Sequence, residues 1–481
     1  MGDYLIVRAD TASWADLARF LAYGGSEEKV LETSRMGLLE ERGTDVSALS
    51  RDHRWFIVVS IVVRRIITFL RKPMELCGLV LEFFLNLLDV NGGDLIGLLR
   101  NLVTWKVVLP ERGSDSYLSI IGHIDTRLDL YKFHHQSALE EIRELEGKAL
   151  LDLCVMASKL AYENANVVQN AVENRWKMHF VEFYNCWNEY QKERSTQVFI
   201  MCDKRQDADI ILISFRGTEP FDADDWCTDI DYSWCQIPQM GKIHMGFLEA
   251  LGLGTRDQIS TIQLSLQDPN SISENRDKRN AYYTVRNKLR SLLKMHPRAK
   301  FIVTGHSLGG ALAILFPAIL LFHKETELME RLLAVYTFGQ PRVGDAQLKR
   351  FMEAHVCHPV NKYFRVVYCN DVIPRIPYDD RMFLYKHFGV CRYYDCLFVE
   401  KNMNEEPDRN FFGIKYIIPK YLIAVWEIIR GLCMGYIFGA EYKETWVSTF
   451  FTVLGLVMPG ISAHCPTNYV NCVRLGKKSW N

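Results

Sequence analysis

The amino-acid sequence predicts an α/β protein in which helices cover a mostly parallel β-sheet. The first observation is that strand-like and helix-like stretches alternate after residue 195, which is typical of such sheets. The second is a sharp strand, turn and helix around residue 307. The strand-like stretches are residues 197–202, 210–215, 300–304, 333–338 and 363–369, and the clearest helix-like stretches are residues 281–295 and 307–323.

The composition is that of a foldable chain that carries no electrostatic footprint for nucleic acid. Hydrophobic residues make up 48% of the 481 positions, which is enough for one large domain or two ordinary ones. The formal net charge is -1 at pH 7, whereas nucleic-acid-binding domains are usually basic. We therefore exclude DNA and RNA as partners.

The cysteines and the N-terminal residues predict a protein that faces the cytosol. The thirteen cysteines are scattered among apolar neighbours without zinc-binding spacing, as at Cys154 and Cys433, and we expect reduced, buried thiols. The first residues lack a charged stretch followed by an apolar core, and Ile6 breaks the myristoylation pattern. The sequence also lacks an Asn-x-Ser/Thr acceptor for N-glycosylation.

Residues 55–109 are unusually apolar for a soluble protein. Two apolar runs, residues 55–70 and 76–88, carry charge only at Arg64, Arg65 and Glu82. Neither run reaches the roughly 18 uncharged residues that a membrane-spanning helix needs. We therefore expect helices that lie in a lipid surface, or a shallow hairpin, with basic side chains at the headgroup level. The alternative is a helical subdomain whose apolar sides pack on the catalytic domain.

A helical pattern begins at Ser137 and continues to about Gln191. Apolar residues recur there at spacings of three and four, which is typical of amphipathic helices. We predict that the catalytic domain spans residues 137–481 and that residues 1–136 form an N-terminal region. Within the catalytic domain, residues 395–458 form an apolar insertion.

Ser307 is the strongest candidate for a nucleophile. It follows the apolar residues 301–303, precedes the helix-like residues 311–316, and lies in residues 305–310 with the sequence GHSLGG. A serine hydroxyl reacts at neutral pH only when a strained turn offers it to a base, and small flanking residues permit that turn. The alternative is a serine that caps the N-terminus of a helix.

An activated serine needs a histidine base, and the base needs a carboxylate that orients it. In parallel-sheet enzymes of this kind the acid follows a later strand, and the histidine comes later still. We choose Asp371, which follows the strand-like residues 363–369, over Asp345, which we expect to cap a helix. For the base, His464 lies downstream on a turn-like segment, and His387 in a strand-like stretch is the second candidate.

The reaction also needs hydrogen-bond donors for the oxyanion. The backbone N–H of Leu308, the residue after the nucleophile, is one donor by the geometry of the turn. A second donor is expected after an early strand, and Thr218 follows the apolar residues 210–215 and a glycine. The alternative for Thr218 is an ordinary turn residue.

Five short motifs, in this order and spacing, resemble the class 3 lipase family of α/β hydrolases. They are SFRGT at 214–218, HMGF at 244–247, GHSLGG at 305–310, GQPRVG at 339–344 and NDVIP at 370–374. The resemblance implies an α/β-hydrolase fold with Ser307 as nucleophile, Asp371 as acid and His464 as base. It also implies that Thr218 and Leu308 supply the oxyanion donors.

In the wider family a lid follows the first oxyanion residue. Residues 219–239 mix aromatic and acidic side chains. We therefore expect this segment to shield an apolar cleft in water and to turn its aromatic side toward lipid. The alternative is an acidic surface loop with a few aromatic residues anchored in the core.

The apolar flank and the sequence ISAHCPTNYV at 461–470 resemble, more narrowly, the plant oil-body triacylglycerol lipases. This resemblance implies a serine lipase that hydrolyses triacylglycerol through an acyl-enzyme at the cytosolic surface of lipid droplets, with the endoplasmic reticulum membrane as the alternative location. Lipid is the expected partner, and the chemistry needs no metal or cofactor. Whether the protein forms a homo-oligomer stays open. Two other functions stay open, a phospholipase A1 or galactolipase with the same triad and a non-catalytic lipase-like scaffold.

Overall fold

The computed structural model describes residues 3–23, 27–34, 51–131, 147–267, 279–379, 385–411 and 413–478. The predicted boundary between residues 136 and 137, and the first part of the predicted helical stretch, lie outside the described residues. The strands are β1 (Tyr4–Val7), β2 (Leu31–Thr33), β3 (His179–Asn188), β4 (Glu193–Cys202), β5 (Ile210–Phe215), β6 (Trp234–Ile237), β7 (Gly241–His244), β8 (Lys300–His306), β9 (Leu332–Phe338), β10 (Gly344–Asp345), β11 (Tyr363–Tyr368), β12 (Tyr385–Lys386), β13 (Val390–Tyr394), β14 (Val399–Met403) and β15 (Lys477–Lys478).

The α-helices of the described residues fall into an N-terminal group, a group around the central sheet and a C-terminal group. The N-terminal group is α1 (Trp14–Tyr23), α2 (Glu27–Val30), α3 (Arg51–Phe69), α4 (Arg71–Val90), α5 (Leu95–Val103) and α6 (Ile120–Ile124). The others are α7 (Lys148–Leu160), α8 (Ala165–Asn170), α9 (Ala223–Asp229), α10 (Met245–Ala250), α11 (Ile259–Gln267), α12 (Ala281–Met295), α13 (Leu308–Phe322), α14 (Thr326–Glu330), α15 (Ala346–Val356), α16 (Ile417–Phe438), α17 (Trp446–Leu454) and α18 (Pro466–Leu475).

A nine-stranded sheet forms the centre of the fold, in the order β15-β14-β13-β11-β9-β8-β5-β4-β3. The central strands β5, β8, β9, β11 and β13 run parallel, whereas β4, β3 and β14 pair in the antiparallel sense. Parallel neighbours need crossover connections, and α12, α13 and α15 lie between successive strands. The predicted α/β-hydrolase architecture with a mostly parallel sheet is confirmed.

Burial explains why the strands read as continuous apolar runs. Every residue of β5 and β11 is buried, because helices cover both faces of the sheet. Helix α13 lies on one face of the sheet and is buried along almost its whole length. It belongs to the largest apolar cluster of the described residues. Helix α7 belongs to a second cluster, which includes residues of β9 and β11.

The stretch predicted to be helical up to Gln191 is only partly so, because residues His179–Asn188 form strand β3. The aromatic residues Phe180, Phe183, Tyr184 and Trp187 fit a helical spacing of three and four as well as a strand. Antiparallel pairing with β4 along the whole of β3 decides in favour of the strand. The prediction was therefore wrong for residues 179–188.

The N-terminal residues form part of a second sheet, in the order β12-β10-β7-β6-β1-β2. Strand β1 pairs with β6, so that Leu5 lies opposite Trp234. One face of α3, with Ile57 and Ile61, is buried in an apolar cluster that also contains Trp234. The apolar run at 55–70 is therefore core on one side, whereas Phe69 at its end is 84% exposed.

A small apolar cluster joins the N-terminal helices to the C-terminal insertion. Its members come from α4, α6 and α17, together with residues that follow α7 and β5. They are Leu81, Leu85, Ile120, Ile121, Ile124, Tyr162, Phe221, Val447 and Phe451. Helices α4 and α17 therefore lie on the same side of the molecule, next to Tyr162.

A buried ion network fixes α3 to the segment after β5. Arg64 of α3 and Arg256 bind opposite oxygens of Asp231, at 3.0 Å and 2.8 Å. Arg256 also pairs with Glu249 at 2.6 Å, and all four side chains are buried. Burial by itself raises the pKa of Asp231, but Arg64 and Arg256 outweigh burial and hold the pKa below its usual value.

The substitution Asp231→Asn is expected to destabilise the protein, because it leaves two buried guanidinium groups without their shared carboxylate. Breaking a buried ion pair costs about 3–5 kcal/mol, which lowers the midpoint of thermal unfolding by several degrees. The carboxylate contributes fully above its usual pKa of 3.8, and the contribution is lost as the pH falls through the lower folded pKa.

Thermal unfolding of the wild type and the variant, measured from neutral to acidic pH, tests this prediction. The gap between their midpoints is expected to be widest at neutral pH and to narrow below a pH of about 4. Asp257→Asn is the control, because Asp257 is 63% exposed and pairs only loosely with Lys192 at 3.8 Å. Equal midpoints for the two variants at neutral pH would contradict the prediction.

Candidate active site

Ser307 lies at the sharp turn between β8 and α13. Its backbone has φ 57° and ψ -131°, a conformation that is strained for a residue other than glycine. The turn is held because the Ser307 N–H donates to the Phe338 carbonyl oxygen at 2.9 Å. An added Cβ at Gly305 would lie 2.2 Å from the Gly309 oxygen, so the turn requires the small residues from which it was predicted.

His464 lies between Ser307 and Asp371. Its Nε2 is 2.8 Å from Ser307 Oγ, and its Nδ1 is 2.8 Å from Asp371 Oδ2. A carboxylate only accepts hydrogen bonds, so Nδ1–H donates to Asp371 and Nε2 is left to accept the proton of the serine hydroxyl. Ser307 is 2% exposed and Asp371 is fully buried, so the hydrogen bonds are shielded from water.

The loop after β11 holds the Asp371 carboxylate in place. The N–H of Ile373 donates to Asp371 Oδ1 at 2.9 Å, and the Tyr469 hydroxyl donates to Oδ2. The Arg375 guanidinium donates to the backbone oxygens of Asp371 and Cys369. Both the carboxylate and the backbone that carries it are therefore fixed from several directions.

His306, next to Ser307, supports the segment that carries His464. The Tyr162 hydroxyl donates to His306 Nδ1 at 2.8 Å, and His306 Nε2–H donates to the His464 carbonyl oxygen at 2.9 Å. Burial, followed by the proximity of His464, lowers the pKa of His306 well below its usual value. A neutral His306 imidazole therefore links the turn at Ser307 to the backbone of His464.

Thr218 and Leu308 lie on two backbone segments that are packed against each other. Strand β5 runs beside β8, so that Phe215 lies opposite Gly305. An added Cβ at Gly309 would lie 2.3 Å from the Phe215 oxygen. The turn that carries Thr218 therefore lies directly against the turn that carries Ser307.

Asp229 of α9 is the hydrogen-bond partner of Thr218. The two side chains are joined at 2.9 Å from Thr218 Oγ1 to Asp229 Oδ2, and Asp229 is fully buried. Burial raises the pKa of Asp229 to about 7, although Thr218 and His464 oppose the shift. Both protonation states of this carboxyl group are therefore accessible near neutral pH.

The competing candidates lie elsewhere and have other partners. His387 is buried, and its Nε2 donates to the Pro374 carbonyl oxygen at 2.6 Å and faces Glu406 at 3.5 Å. Asp345 caps α15, because its side chain accepts from the backbone N–H groups of the second and third residues that follow it. The structure thus brings Ser307, Asp371 and His464 together but not His387 or Asp345.

The segment predicted as a lid, residues 219–239, is tied to α3 and α4. Arg64 binds Asp231, the Ser60 hydroxyl donates to the Ile230 carbonyl oxygen at 2.9 Å, and Arg71 pairs with Asp224 at 2.9 Å. Asp229 and Asp231 are fully buried, which differs from an acidic surface loop. The lid role stays a prediction.

Sequence reasoning gave no role to three side chains that touch the site. Tyr469 binds Asp371, Tyr162 binds His306, and Asp229 binds Thr218. The signals available for Tyr469 were its position five residues after His464 and its place in the motif at 461–470. Tyrosine is often partly buried for packing alone, and sequence alone does not show that its hydroxyl meets a carboxylate.

Comparison with known proteins identifies a matching family and several similar proteins. Residues 212–381 match the family Lipase (class 3). The triacylglycerol lipase OBL1 of Nicotiana tabacum is 51% identical, over 98% of this chain and 94% of that protein. The triacylglycerol lipase OBL1 of Arabidopsis thaliana is 52% identical, over 99% and 95%. The solved structure of a Rhizomucor miehei triacylglyceride lipase is 23% identical with a TM-score of 0.37, covering 53% of this chain and 80% of that chain.

The family match contains Thr218, Ser307, Leu308 and Asp371 but ends before His464. The two plant proteins extend the similarity over almost the whole chain, including the insertion at 395–458. Because about half of its residues are identical to those lipases over nearly their full length, this chain belongs to the class 3 lipase family.

Proposed function

We propose that this lipase hydrolyses the acyl esters of triacylglycerol at the surface of lipid droplets, with Ser307 as nucleophile, His464 as base and Asp371 as acid. The observation that carries the proposal is the position of His464, 2.8 Å from both Ser307 Oγ and Asp371 Oδ2. Two relatives of about the same length are named triacylglycerol lipases, which supports triacylglycerol as the substrate.

In the first step, Ser307 Oγ attacks the ester carbonyl while His464 Nε2 takes its proton. The imidazolium that forms is stabilised by Asp371, which accepts from Nδ1–H throughout. His464 then gives its proton to the leaving diacylglycerol oxygen, which leaves an acyl group on Ser307. Water repeats the sequence on the acyl-enzyme and releases the fatty acid.

The developing oxyanion is held by the backbone N–H of Leu308 and by Thr218. When Asp229 is ionised, the Thr218 hydroxyl donates to it and its hydrogen is not available for the oxyanion. When Asp229 is protonated, its own O–H donates to Thr218 Oγ1, which frees the threonine hydrogen for the substrate. The raised pKa of Asp229 therefore favours the arrangement that serves catalysis.

The substitution Asp229→Asn is expected to keep activity, because the asparagine amide donates to Thr218 at every pH. It is also expected to raise the midpoint of thermal unfolding at alkaline pH. A buried acid whose pKa is raised from 3.8 to about 7 costs stability as the pH rises through that range. The advantage of the variant is therefore small near pH 4 and reaches its full size above a pH of about 7.

Thermal unfolding and ester hydrolysis across this pH range provide the measurement. Asp229→Leu is the matched control, because it removes the charge but also the group that orients Thr218. We expect Asp229→Leu to lower the rate of hydrolysis by about tenfold or more. If thermal unfolding of the wild type and of the Asp229→Asn variant depended on pH in the same way, this result would contradict the role assigned to Asp229.

The substitution Ser307→Ala is expected to lower ester hydrolysis by on the order of a thousandfold or more and to abolish labelling by a fluorophosphonate probe. Ser291→Ala is the control, because Ser291 lies on the exposed side of α12. Full activity in Ser307→Ala would end the assignment of the nucleophile. A wild type that the probe does not label would favour a non-catalytic scaffold.

Initial rates on emulsified triacylglycerol and on phosphatidylcholine vesicles distinguish the substrate classes. We expect the higher rate on triacylglycerol. A higher rate on vesicles would favour the phospholipase A1 alternative and would leave the catalytic residues unchanged, because both reactions use the same chemistry.

Helix α16 supports a location at a lipid surface. With the short turn before it, α16 spans Ile414–Phe438, which is long and apolar enough to cross a membrane. The charged residues of α16 itself, Lys420, Glu427 and Arg430, lie on its buried face, whereas its outer face is apolar and exposed. This distribution is the reverse of that of a surface helix in water. Because its buried residues run from Lys420 to Met434, the helix lies along the protein and presents its apolar face to the lipid.

The N-terminal helices add a second apolar surface. Helix α5 has no buried residue, and Ile96, Val103 and Trp105 in and after it are 76%, 79% and 95% exposed. Such an exposed apolar patch is typical of a contact with lipid or with another protein. The apolar cluster that joins α4 to α17 links the N-terminal helices to α16, because α17 packs on α16. We propose that residues 1–136 and the insertion at 395–458 together attach the catalytic domain to the cytosolic side of a lipid droplet, or to the endoplasmic reticulum membrane.

Replacing Leu422, Ile429 and Leu432 of α16 by serine is expected to release the protein from artificial lipid droplets in a flotation assay. Each of these side chains is at least half exposed, and burying one in hydrocarbon contributes about 1.5–3 kcal/mol. The same replacement at Leu95, Leu99 and Leu102 of α5 shows how much the N-terminal helices contribute. Point substitutions are preferable to a deletion of residues 55–109, because α3 carries core residues and Arg64.

Leu264→Ser is the control, because Leu264 of α11 is exposed but lies outside both surfaces. Thermal unfolding of all variants shows whether the fold is kept. If both triple variants floated with the droplets to the same extent as the wild type, this result would contradict the lipid contact proposed for these helices.

A further inference from the structure

We propose that the buried face of α16 positions the catalytic acid and base, and that Arg430 is the central positioning residue. This inference rests on the catalytic roles proposed for Asp371 and His464. It gives one helix two functions, because the outer face of α16 contacts lipid and the inner face holds the site.

The Arg430 guanidinium joins three segments that are distant in sequence. Its Nη1 donates to the Tyr368 hydroxyl at 2.6 Å and to the Cys396 carbonyl oxygen at 2.9 Å, and its Nη2 donates to Asn468 Oδ1 at 3.0 Å. Arg430 is 8% exposed. A planar guanidinium with several donors can fix several acceptors in one geometry.

Tyr368 connects Arg430 to the catalytic acid. It is the last residue of β11, and its carbonyl oxygen accepts from the Asp371 N–H at 3.0 Å. The Tyr368 N–H lies 3.5 Å from the hydroxyl of Tyr469, which donates to the Asp371 carboxylate. A change in the position of Tyr368 therefore reaches both the backbone and the carboxylate of Asp371.

Asn468 connects Arg430 to the catalytic base. The Asn468 side-chain amide donates to the Ser462 carbonyl oxygen at 2.9 Å, and Ser462 begins the short turn that ends at His464. Glu427, one turn before Arg430 on α16, accepts from the Ser462 hydroxyl at 3.3 Å. Two charged residues of α16 therefore hold the turn that carries the imidazole.

A second link runs from the start of α16 to the acid. Lys420 pairs with Asp408 and donates to the Phe411 carbonyl oxygen. The carbonyl oxygen of Asp408 in turn accepts from Arg375 at 3.1 Å, and Arg375 donates to the Asp371 carbonyl oxygen. The loop that holds Asp371 is therefore fastened to α16 at two places.

Burying charged residues on the inner face of α16 costs free energy, and packing alone does not explain why they are there. Buried charges are expensive, and apolar residues of similar size often pack as stably. Lys420, Glu427 and Arg430 are all buried on a helix that is otherwise apolar. Their contacts are directed to the segments that carry Asp371 and His464, which supports a positioning function for this face.

The test measures the reactivity of Ser307 in variants of the full-length protein. Arg430→Leu is expected to lower the rate of fluorophosphonate labelling in lipid-free solution, and kcat on a soluble short-chain ester, by about tenfold or more, because small misplacements of catalytic groups are costly. KM is expected to stay within about twofold of the wild type. Leu264→Ser on the exposed side of α11 is the control, which should leave both labelling and kcat unchanged.

Arg430→Lys and Tyr368→Phe keep the test decisive if Arg430→Leu does not fold. Lysine retains the charge and can reach one acceptor, so its labelling rate is expected to lie between those of leucine and the wild type. Tyr368→Phe removes only one acceptor and is expected to slow labelling by a few-fold. Wild-type labelling and kcat in both variants would overturn the proposal, even if their thermal unfolding midpoints were lower. Failure of the proposed function has a different signature, because the wild type itself would then not be labelled at Ser307.

Discussion

The His464 imidazole is held between a serine hydroxyl and a carboxylate that come from distant parts of the chain. His464 lies 157 residues after Ser307 and 93 residues after Asp371, so no local structure can bring the three together. The α/β sheet solves part of this problem, because Ser307 follows β8 and Asp371 follows β11 on the same edge of parallel strands. The position of His464 also depends on side-chain contacts from His306 at the end of β8, from Asn468 of α18 and from the insertion.

Burial strengthens these hydrogen bonds, and it also makes the loss of any one of them costly in free energy. Ser307 and Asp371 are almost completely shielded from water, and in such surroundings an unpaired polar group is expensive. The Asp371 carboxylate accordingly accepts from three groups, the Ile373 N–H, the Tyr469 hydroxyl and His464 Nδ1–H. Asp229 differs, because its Oδ1 has no hydrogen-bond partner among the described residues, and burial raises its pKa to about 7.

The same physical rule explains the flanking regions. In α16 the charged residues Lys420, Glu427 and Arg430 are buried, while the outer face is apolar and exposed, and α3 likewise buries Arg64 against Asp231. This arrangement is unfavourable in water and favourable at a lipid surface. The surfaces proposed to contact lipid therefore lie next to the candidate site, because α3 is tied to Asp231 in the segment after Thr218 and α16 is tied to the turn that carries His464.

Much of the central sheet could be predicted, because its strands are apolar runs bounded by turns. Residues 210–215 and 281–295 have the predicted bounds, and the sharp turn at Ser307 was visible from its glycines. Strand β3 was missed because its aromatic residues also fit a helical spacing. Cys77 and Cys433 are exposed rather than buried, because apolar helices that face outward have the same composition as core helices. For the same reason, the sequence did not show that α16 turns its charges toward His464.

A structure of the protein after reaction with a phosphonate ester tests the proposed catalytic site most directly. We predict a covalent bond from phosphorus to Ser307 Oγ, with the phosphoryl oxygen within about 3 Å of the Leu308 N–H and of Thr218, and His464 still hydrogen-bonded to Asp371. An adduct on another residue, or a phosphoryl oxygen that points away from Thr218 and Leu308, would contradict it.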